Sequence, residues 1–339
     1  MHRASSAGRL LPAAAVLAAT VGAAQAGGID RSNQSLGNLF EPGRQIELSL
    51  GQVSPSVSGT DLPLGPLPGG GSTGNVAADF GQVGLSYKAD INDRLSFASM
   101  FDQPFGADMR YGPGSVNLGG IRAYAKSGAL TGILRYKFNE NFSVHAGVRG
   151  QRSFGQIDLR GAAYGPLNGY SIRLDGHVGY SYLVGVAYER PDIALRVALT
   201  YNGAIEHAFE TVETLGAAVV SRGVTDVRTP QSINLDFQTG IAKDTLLFGQ
   251  IRWVDWQQFQ IDPTFLVAVT GEGLIEIDNT TTYTLGVGRR FSDTWSGSVA
   301  VSYEDDIDPL ISPLGPTDGR LGVTLAAVYT KGPVKVTTG

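Results

Sequence analysis

The segment FSVHAGVR, residues 142–149, decides the fold class, because apolar and polar or small side chains alternate along it without exception. The apolar set is Phe142, Val144, Ala146 and Val148. The other set is Ser143, His145, Gly147 and Arg149. Successive side chains of a strand point to opposite faces, so a period of two predicts a β-strand with one apolar and one polar face.

The same alternation recurs along most of the chain. Further examples lie at residues 45–50, 82–88, 94–101, 193–201, 233–237 and 295–303. A strand of about ten residues rises about 3.3 Å per residue, so at a tilt of roughly 45° it covers the apolar band of an outer membrane, about 25 Å tall. Tyrosines near the ends of the apolar faces predict aromatic girdles: Tyr87, Tyr111, Tyr136, Tyr188, Tyr201, Tyr303 and Tyr329.

The connections separate a membrane barrel from a soluble sandwich, which would show the same alternation. Short turns are predicted at residues 90–94, 139–141, 189–192, 242–244, 292–294 and 331–333. Long loops are predicted at residues 54–79, 107–120, 159–170, 208–224, 261–279 and 305–319. Short and long connections alternate, which is the asymmetry of an outer-membrane β-barrel with periplasmic turns and extracellular loops.

Composition agrees with an exported barrel. Charged residues make up 17% of the 339 residues, glycine occurs 46 times, and cysteine is absent. The N-terminal residues 1–26 combine Arg3 and Arg9, an apolar run and a small-residue site before Gly27, which predicts a cleaved signal peptide. The net charge of −5 without a basic block predicts no nucleic-acid partner.

The strand count predicts an incomplete barrel. Twelve complete strands and the start of a thirteenth can be counted before Gly339. A barrel of this kind needs an even number of strands and no open edge. We therefore expect at least fourteen strands in the full protein, and a chain that is truncated at its C-terminus.

Several motifs carry a family resemblance. These are GGIDRSNQSLGNLFEPG (27–43), FDQPFGADMRY (101–111), LRYKFNENFSVHAGVRGQ (134–151) and TPQSINLDFQTGIAKDTLLFGQIRWVDWQQF (229–259). They resemble the FadL-type outer-membrane transporters of long-chain fatty acids and other hydrophobic compounds. The resemblance implies a fourteen-stranded barrel, an N-terminal hatch in its lumen and passive uptake through an opening in the wall. NLFEPG departs from the family's Asn-Pro-Ala, and the last strands with their terminal aromatic are absent.

Residues 27–43 precede the barrel, which we place at residues 44–339, and they lack a period of two. As a hatch they would fill the lumen; the alternative is a flexible periplasmic leader. The candidate hatch residues are Asp30, Arg31, Asn33, Leu36, Leu39 and Phe40.

The inward face predicts a ligand site in the lumen. Its candidate residues are Met100, Arg135, His145, Arg149, Phe248, Gln250 and Arg252. Arginine can bind a carboxylate through charge-assisted hydrogen bonds, while scattered apolar groups suit an acyl chain. The alternative is that these polar groups pair with lumen acids or hold the hatch.

The third strand is interrupted at Pro104, Phe105 and Gly106, where proline cannot donate to a ladder and glycine tolerates a bulge. The positions of Phe101, Phe105 and Met109 predict one continuous phase on either side of the interruption. The family resemblance implies that these residues form an inward kink that opens the wall beside the hatch. The alternative is that residues 104–106 already begin the loop above the membrane.

The function predicted from these features is passive outer-membrane transport of long-chain fatty acids or similar hydrophobic compounds, by loop capture, lumen binding, hatch movement and lateral exit. Apolar loop segments such as TDLPLGPLP (60–68), GAAVVSRGV (216–224) and TFLVAVTGEGLIEI (264–277) favour capture, or contact with lipopolysaccharide. No catalytic or metal motif stands out, so we expect a protein that is not an enzyme and has no cofactor. We also expect a monomer. The rival functions are a general diffusion porin and a structural or adhesive barrel.

Overall fold

A computed structural model of the chain describes residues 29–305, 312–315 and 319–339. The predicted signal peptide, and most of the last predicted long loop, lie outside these residues. The described residues form one antiparallel sheet of sixteen strand segments. They contain no helix long and apolar enough to cross a membrane.

The strands are β1 (Gln45–Val53), β2 (Phe80–Asp90), β3 (Leu95–Asp102), β4 (Gly106–Arg110), β5 (Arg122–Lys137), β6 (Phe142–Asp158), β7 (Tyr170–Arg190), β8 (Leu195–Asn202), β9 (Ile205–Leu215), β10 (Ala218–Thr229), β11 (Ser232–Ala242), β12 (Thr245–Val254), β13 (Thr280–Arg290), β14 (Trp295–Glu304), β15 (Arg320–Lys331) and β16 (Val334–Thr338). One α-helix, α1, covers Thr264–Thr270, and short 3-10 turns cover Gly37–Phe40, Ala162–Leu167, Pro191–Ile193 and Trp256–Gln258.

Short interruptions divide three long spans into two segments each. They separate β3 from β4, β8 from β9 and β10 from β11. Counted as spans, the sixteen segments give twelve complete strands and the short β16, as the sequence predicts. The ladder runs from β1 through the sheet to β16 with each neighbour antiparallel. The predicted all-β fold of an antiparallel β-barrel is therefore confirmed.

The sheet has apolar side chains on its outer face and polar side chains on its inner face, which is the opposite of a soluble protein. On the outer face Leu130 is 60% exposed and Val148 is 71% exposed. On the inner face Gln151 and Arg135, both polar, are almost completely buried. An apolar exterior around a polar interior is stable in lipid and unstable in water. The observed alternation therefore has the orientation of a membrane barrel.

Outward aromatic pairs cluster near the short turns. Tyr136 lies 5.4 Å from Phe138, and Trp295 lies 5.1 Å from Tyr329, measured between ring centroids. Such aromatics suit the membrane interface because one end of each ring tolerates water. Tyr111 does not belong to this girdle: it is buried, and its hydroxyl donates to the carbonyl of Pro313 over 2.8 Å.

The connections follow the predicted asymmetry, with one correction. The predicted long loop at residues 208–224 is instead the tip of a hairpin, because β9 and β10 pair up to Leu215 and Ala218 with Gly216 at a positive φ between them. The apolar sequence of this stretch continues a ladder, and its inward positions include Phe209 and Glu213. In the next long connection the apolar stretch folds into α1.

Candidate functional site

The N-terminal segment, residues 29–43, lies inside the barrel. Leu36 and Leu39 are buried in one apolar cluster with Ala98 of β3, Ile133 of β5 and Leu183 of β7. Burial of a leucine side chain contributes about 1.5–3 kcal/mol relative to exposure. The segment therefore packs against inward residues from three different strands rather than extending away from the barrel.

A buried ion pair fixes the start of the segment. The Asp30 carboxylate accepts hydrogen bonds from Arg252 Nη2 at 2.6 Å and from Nε at 2.9 Å, and neither side chain is more than 1% exposed. Arg252 Nη1 also donates to Ser232 and Asn234. Charge-assisted bonds of this kind are stronger than neutral ones, and here they give the buried guanidinium a carboxylate of opposite charge.

The interruption of the third span is a β-bulge. Asp102 pairs with Ala129, and Gly106 pairs with Lys126, so three residues oppose two on β5. The span resumes as β4 after the interruption, so residues 104–106 lie within the third span of the sheet. Because the third span has one residue more than β5 here, side chains at alternate positions point to opposite faces of the sheet before and after the bulge.

This inversion corrects the predicted phase of the third span. Phe101 faces outward and is 39% exposed, whereas Phe105 and Met109 are buried in the interior. The Phe105 ring meets the Trp256 ring edge-on at 5.8 Å. The interruption therefore turns two large apolar side chains from the lipid side into the lumen.

The N-terminal segment pairs with this bulge through its backbone. Arg31 N donates to Pro104 O over 2.7 Å, and Gly106 N donates to Ile29 O over 2.9 Å. Asp30 and Phe105 form the antiparallel bridge between these bonds. The segment thus supplies hydrogen-bond partners that a neighbouring wall strand would otherwise provide.

The Arg31 side chain lies between β2 and the bulge. Its guanidinium lies 3.8 Å above the Phe80 ring of β2, and a Cβ on Gly106 would come within 2.7 Å of it. In the described residues no ladder joins residues 80–84 of β2 to the third span, although residues 85–90 are paired. The Gln82 side chain donates to Arg31 O instead. The wall is therefore open between residues 80–84 of β2 and the bulge, it closes again where Ala77 pairs with Met109 of β4, and the N-terminal segment fills the opening.

An apolar cavity of about 80 Å³ lies next to the bulge, in the upper half of the interior, which is the half nearer the long loops. Ile29 and Phe105 line it together with apolar residues of several strands and of two long connections. These include Ala107, Ala123, Leu174, Phe209, Val227, Phe259, Ile261 and Leu314. The cavity thus lies directly behind the segment that fills the wall opening.

The cavity differs from the predicted ligand site. Of the seven predicted lumen residues, which the structure describes in full, none lines the cavity. The guanidinium of Arg135 lies 4.6 Å above the Phe40 ring and pairs with Glu189. The His145 ring meets Phe40 edge-on at 5.8 Å, and Met100 packs on the same cluster. These residues hold the N-terminal segment.

The other predicted lumen residues also have protein partners. Arg149 Nε donates to Thr131 Oγ1 over 2.9 Å, and Gln250 Nε2 donates to Asp236 over 2.8 Å. Phe248 is buried against β13 at Gly286. Arg252 binds Asp30, as described above, and Asn33 O accepts a hydrogen bond from Asn234 of β11. The structure therefore brings four predicted lumen residues to the N-terminal segment, namely Met100, Arg135, His145 and Arg252, whereas the other three contact the barrel wall.

The cavity residues were missed because three of them, Phe209, Phe259 and Ile261, belong to stretches that read as loops or loop edges. The strand around Phe209 alternates between buried and exposed residues, but its sequence, HAFETVE at residues 207–213, shows no matching apolar alternation. Glu213 also organises the cavity's roof: it accepts a hydrogen bond from Tyr170 and from the backbone N–H groups of Phe265 and Leu266 at the start of α1.

Asp61 ties the first long loop to the loop at residues 111–121. Its carboxylate accepts hydrogen bonds from Ser115 Oγ and from the backbone N–H groups of Val116 and Asn117. Burial alone would raise the pKa of Asp61, but these donors outweigh it and lower the pKa. The bonds therefore stabilise the loop pair only while Asp61 is ionised.

Acid should release this loop pair. Because the folded pKa of Asp61 lies below its unfolded value of about 3.9, the stabilisation is complete above that value and is lost as the pH falls through the folded pKa. We expect the amides of Val116 and Asn117 to lose protection in hydrogen exchange under acid, after correction for intrinsic rates. Asp61→Asn should weaken their protection by about 1–3 kcal/mol at neutral pH and remove the acid response. An unchanged acid response in that variant would contradict this assignment.

Comparisons with known proteins agree on the fold. No protein-family model matches the sequence, and the search of curated proteins found no match. Among solved structures, a Pseudomonas aeruginosa FadL homologue superposes with a TM-score of 0.65 at 17% identity, over 89% of this chain and 81% of that one. The Pseudomonas putida toluene transporter TodX gives 0.59 at 15% identity, over 94% and 88%. The Ralstonia pickettii toluene transporter TbuX gives 0.59 at 13% identity, over 87% and 82%.

The observed architecture is an antiparallel barrel with a filled lumen and an interrupted third span. Its fold is the FadL type, as the sequence motifs indicate. At these identities the likeness concerns the fold alone.

Proposed function

We propose that the protein is a passive outer-membrane transporter of hydrophobic compounds, such as long-chain fatty acids. The observation that carries the proposal is the pairing of residues 29–31 with Pro104 and Gly106 in the wall opening, directly beside an apolar cavity. The similar structures support it, because they are those of a FadL homologue and of two toluene transporters.

The route begins at the long loops, whose apolar segments collect the solute. The solute then enters the apolar cavity, where burial of its surface contributes about 25 cal/mol per Å². The N-terminal segment acts as a hatch: it moves away from the bulge and opens the gap between β2 and β4. The solute leaves sideways into the membrane, so it never crosses the polar lower lumen.

The cavity size implies that movement is part of the mechanism. A dry cavity of about 150 Å³ binds benzene in another protein, and the present cavity is about half that size. Ile29 and Phe105 both line it, so displacement of the N-terminal segment would enlarge it and open the wall in one step. The concentration gradient drives transport, since the sequence carries no nucleotide-binding motif.

Uptake by a deletion strain tests the proposal. Cells that lack their own transporter of this class are supplied with labelled oleate or p-xylene, with and without this protein. We expect the protein to restore uptake of at least one of them. In parallel, liposome swelling measures permeation of small sugars. Sugar permeation without hydrophobic uptake would instead establish a diffusion porin, and no flux of either kind would establish a structural barrel.

Filling the cavity should block transport. Ala123 is buried on the inner face of β5 and lines the cavity, so Ala123→Phe would occupy the space that a solute needs. We expect uptake to fall at least about tenfold, the effect of losing roughly 1.4 kcal/mol of solute binding. Ala146→Phe is the matched control, because Ala146 faces outward on β6 where lipid accommodates a phenyl ring. Equal uptake by both variants would show that the solute avoids the cavity.

A further inference from the structure

A polar cluster adjoins the apolar cavity. The polar cluster consists of Gln151 and Ser153 of β6, His177 of β7 and His207 of β9, all on inward positions. Gln151 is fully buried and His207 is 1% exposed. Ser153 itself lines the cavity, as does Phe209, the next inward residue after His207 on the same strand. The cluster therefore lies one layer of side chains below the cavity.

The cluster holds together through neutral contacts. The ring of His207 stacks on Phe209 with centroids 5.3 Å apart, and the ring of His177 meets it edge-on at 5.7 Å. Gln151 Nε2 lies 3.0 Å from Ser153 Oγ and 3.4 Å from His207 Nε2. The main chain of His177 is also close enough to interact with the His207 ring. The contacts described here involve no charged side chain.

Three polar atoms of this cluster remain without a hydrogen-bond partner among the described residues. They are Gln151 Oε1, His177 Nδ1 and His207 Nδ1. A buried polar atom without a partner costs folding free energy, and native interiors contain few of them. Three such atoms together, beside a cavity, form a place where the polar group of a ligand, or a water in its absence, completes the hydrogen bonds.

The chemistry of that group follows from the free atoms. The amide N–H of Gln151 is the donor toward His207 Nε2, so a neutral His207 carries its proton on Nδ1. The cluster then offers a donor at His207 Nδ1, which lies near the main chain of His177 without a hydrogen bond of normal geometry, and a free acceptor at Gln151 Oε1. A hydroxyl both accepts and donates, and so satisfies both atoms. A carboxylate cannot donate, and a hydrocarbon can do neither.

We propose that this site binds hydrophobic compounds that carry a neutral hydroxyl, such as alkylated phenols. The ring occupies the apolar cavity, and the hydroxyl binds Gln151 and His207. This inference rests on the proposed transport of hydrophobic compounds and specifies the polar group that the lumen selects. It departs from a fatty-acid site, where an arginine would be the expected partner of the carboxylate.

The test compares p-cresol with p-xylene, which differ by a hydroxyl in place of a methyl group. Equilibrium binding of each to the full chain in lipid nanodiscs is measured, with partition into protein-free nanodiscs subtracted. We expect p-cresol to bind about tenfold more tightly after this correction, because p-xylene leaves buried polar groups unpaired. We expect 4-methylbenzoate at neutral pH to bind more weakly than p-cresol.

Two variants assign the effect to the cluster. Gln151→Leu and His207→Leu should each bring the ratio of the two dissociation constants close to one, mainly by weakening p-cresol. Gln238→Leu is the matched control: this glutamine lies on β11, where its side chain contacts Arg196 and the carbonyl of Ala194. Its ratio should equal that of the unchanged protein.

Equal affinity of the unchanged protein for p-cresol and p-xylene would overturn the inference and leave hydrophobic transport intact. An unchanged ratio of the two dissociation constants in both leucine variants would also overturn the inference and leave hydrophobic transport intact. Binding of neither compound, together with absent uptake, would contradict the transport proposal itself. Heat-modifiable migration on gels verifies barrel assembly, and the ratio in the unchanged protein decides the matter even where a variant does not assemble.

Discussion

Deletion of Pro104 should abolish uptake of hydrophobic compounds while the barrel still assembles. Three residues of the third span oppose two on β5, so removal of one residue restores a regular ladder. Removal of the proline also returns a backbone N–H at the position that lacks one. Gln103 would then oppose Gly128, and Phe105 would keep its inward position opposite Ser127. β2 and the stretch just before it pair with the third span on both sides of the gap, where Leu85 pairs with Phe101 and Ala77 with Met109. We therefore expect the straightened span to lie against β2, with one residue on the β2 side left unpaired, and the lateral exit to be lost.

The measurement is uptake of labelled oleate and p-xylene by deletion-strain cells, with the amount of assembled protein in the outer membrane as normalisation. We expect a loss of at least about tenfold, because an exit within lipid requires unpaired backbone groups that a regular ladder removes. The control is Gly132→Val on β5, where a new Cβ meets no neighbour within 4 Å. Full uptake by the deletion variant would refute the lateral route.

Asp30→Ala should release the N-terminal segment. The substitution leaves the guanidinium of Arg252 buried without its carboxylate, and removal of one partner of a buried pair costs about 3–5 kcal/mol. Apolar packing of Leu36 and Leu39 would still hold the middle of the segment. We therefore expect residues 29–33 to become accessible to protease in assembled barrels, and permeation of small sugars into liposomes to rise.

Two comparisons isolate the ion pair as the cause. In Asp30→Ala with Arg252→Met no unpaired charge remains, so the segment should be less accessible than in the single variant. Asp175→Ala breaks an exposed pair with Arg173 and should change stability by less than about 1 kcal/mol. If Asp30→Ala leaves both protease accessibility and sugar permeation unchanged, the ion pair does not hold the segment in place.

The strands could be predicted from the sequence because period-two alternation is a local property. Segments such as residues 142–149 and 295–303 carry it without interruption, and the twelve complete spans follow from it. Pro104 and Gly106 predicted an interruption of the third span, but not that the side chains after it would change faces. Whether an interrupted strand resumes with the same face inward depends on its register with β5, which lies in another part of the sequence.

The site was less accessible to sequence reasoning for the same reason. Asp30 and Arg252 could each be assigned to the lumen, yet their pairing joins residues 222 positions apart. The apolar cavity draws Phe209, Val227 and Ile261 from segments that are separate in sequence. The hairpin tip at residues 216–217 resembled a loop, because a two-residue turn within apolar sequence leaves little local trace.

The central claim is that the N-terminal segment must leave the wall opening for transport to occur. The chain contains no cysteine, so Ile29→Cys with Gly106→Cys creates a single possible disulfide. These residues are joined by a backbone hydrogen bond in antiparallel register, where Cα atoms lie about 5.5 Å apart and a disulfide can form. With each single cysteine variant as a control, uptake of labelled oleate and p-xylene is measured before and after reduction. The account predicts background uptake in the oxidised double variant and recovery on reduction; equal uptake in both states would contradict it.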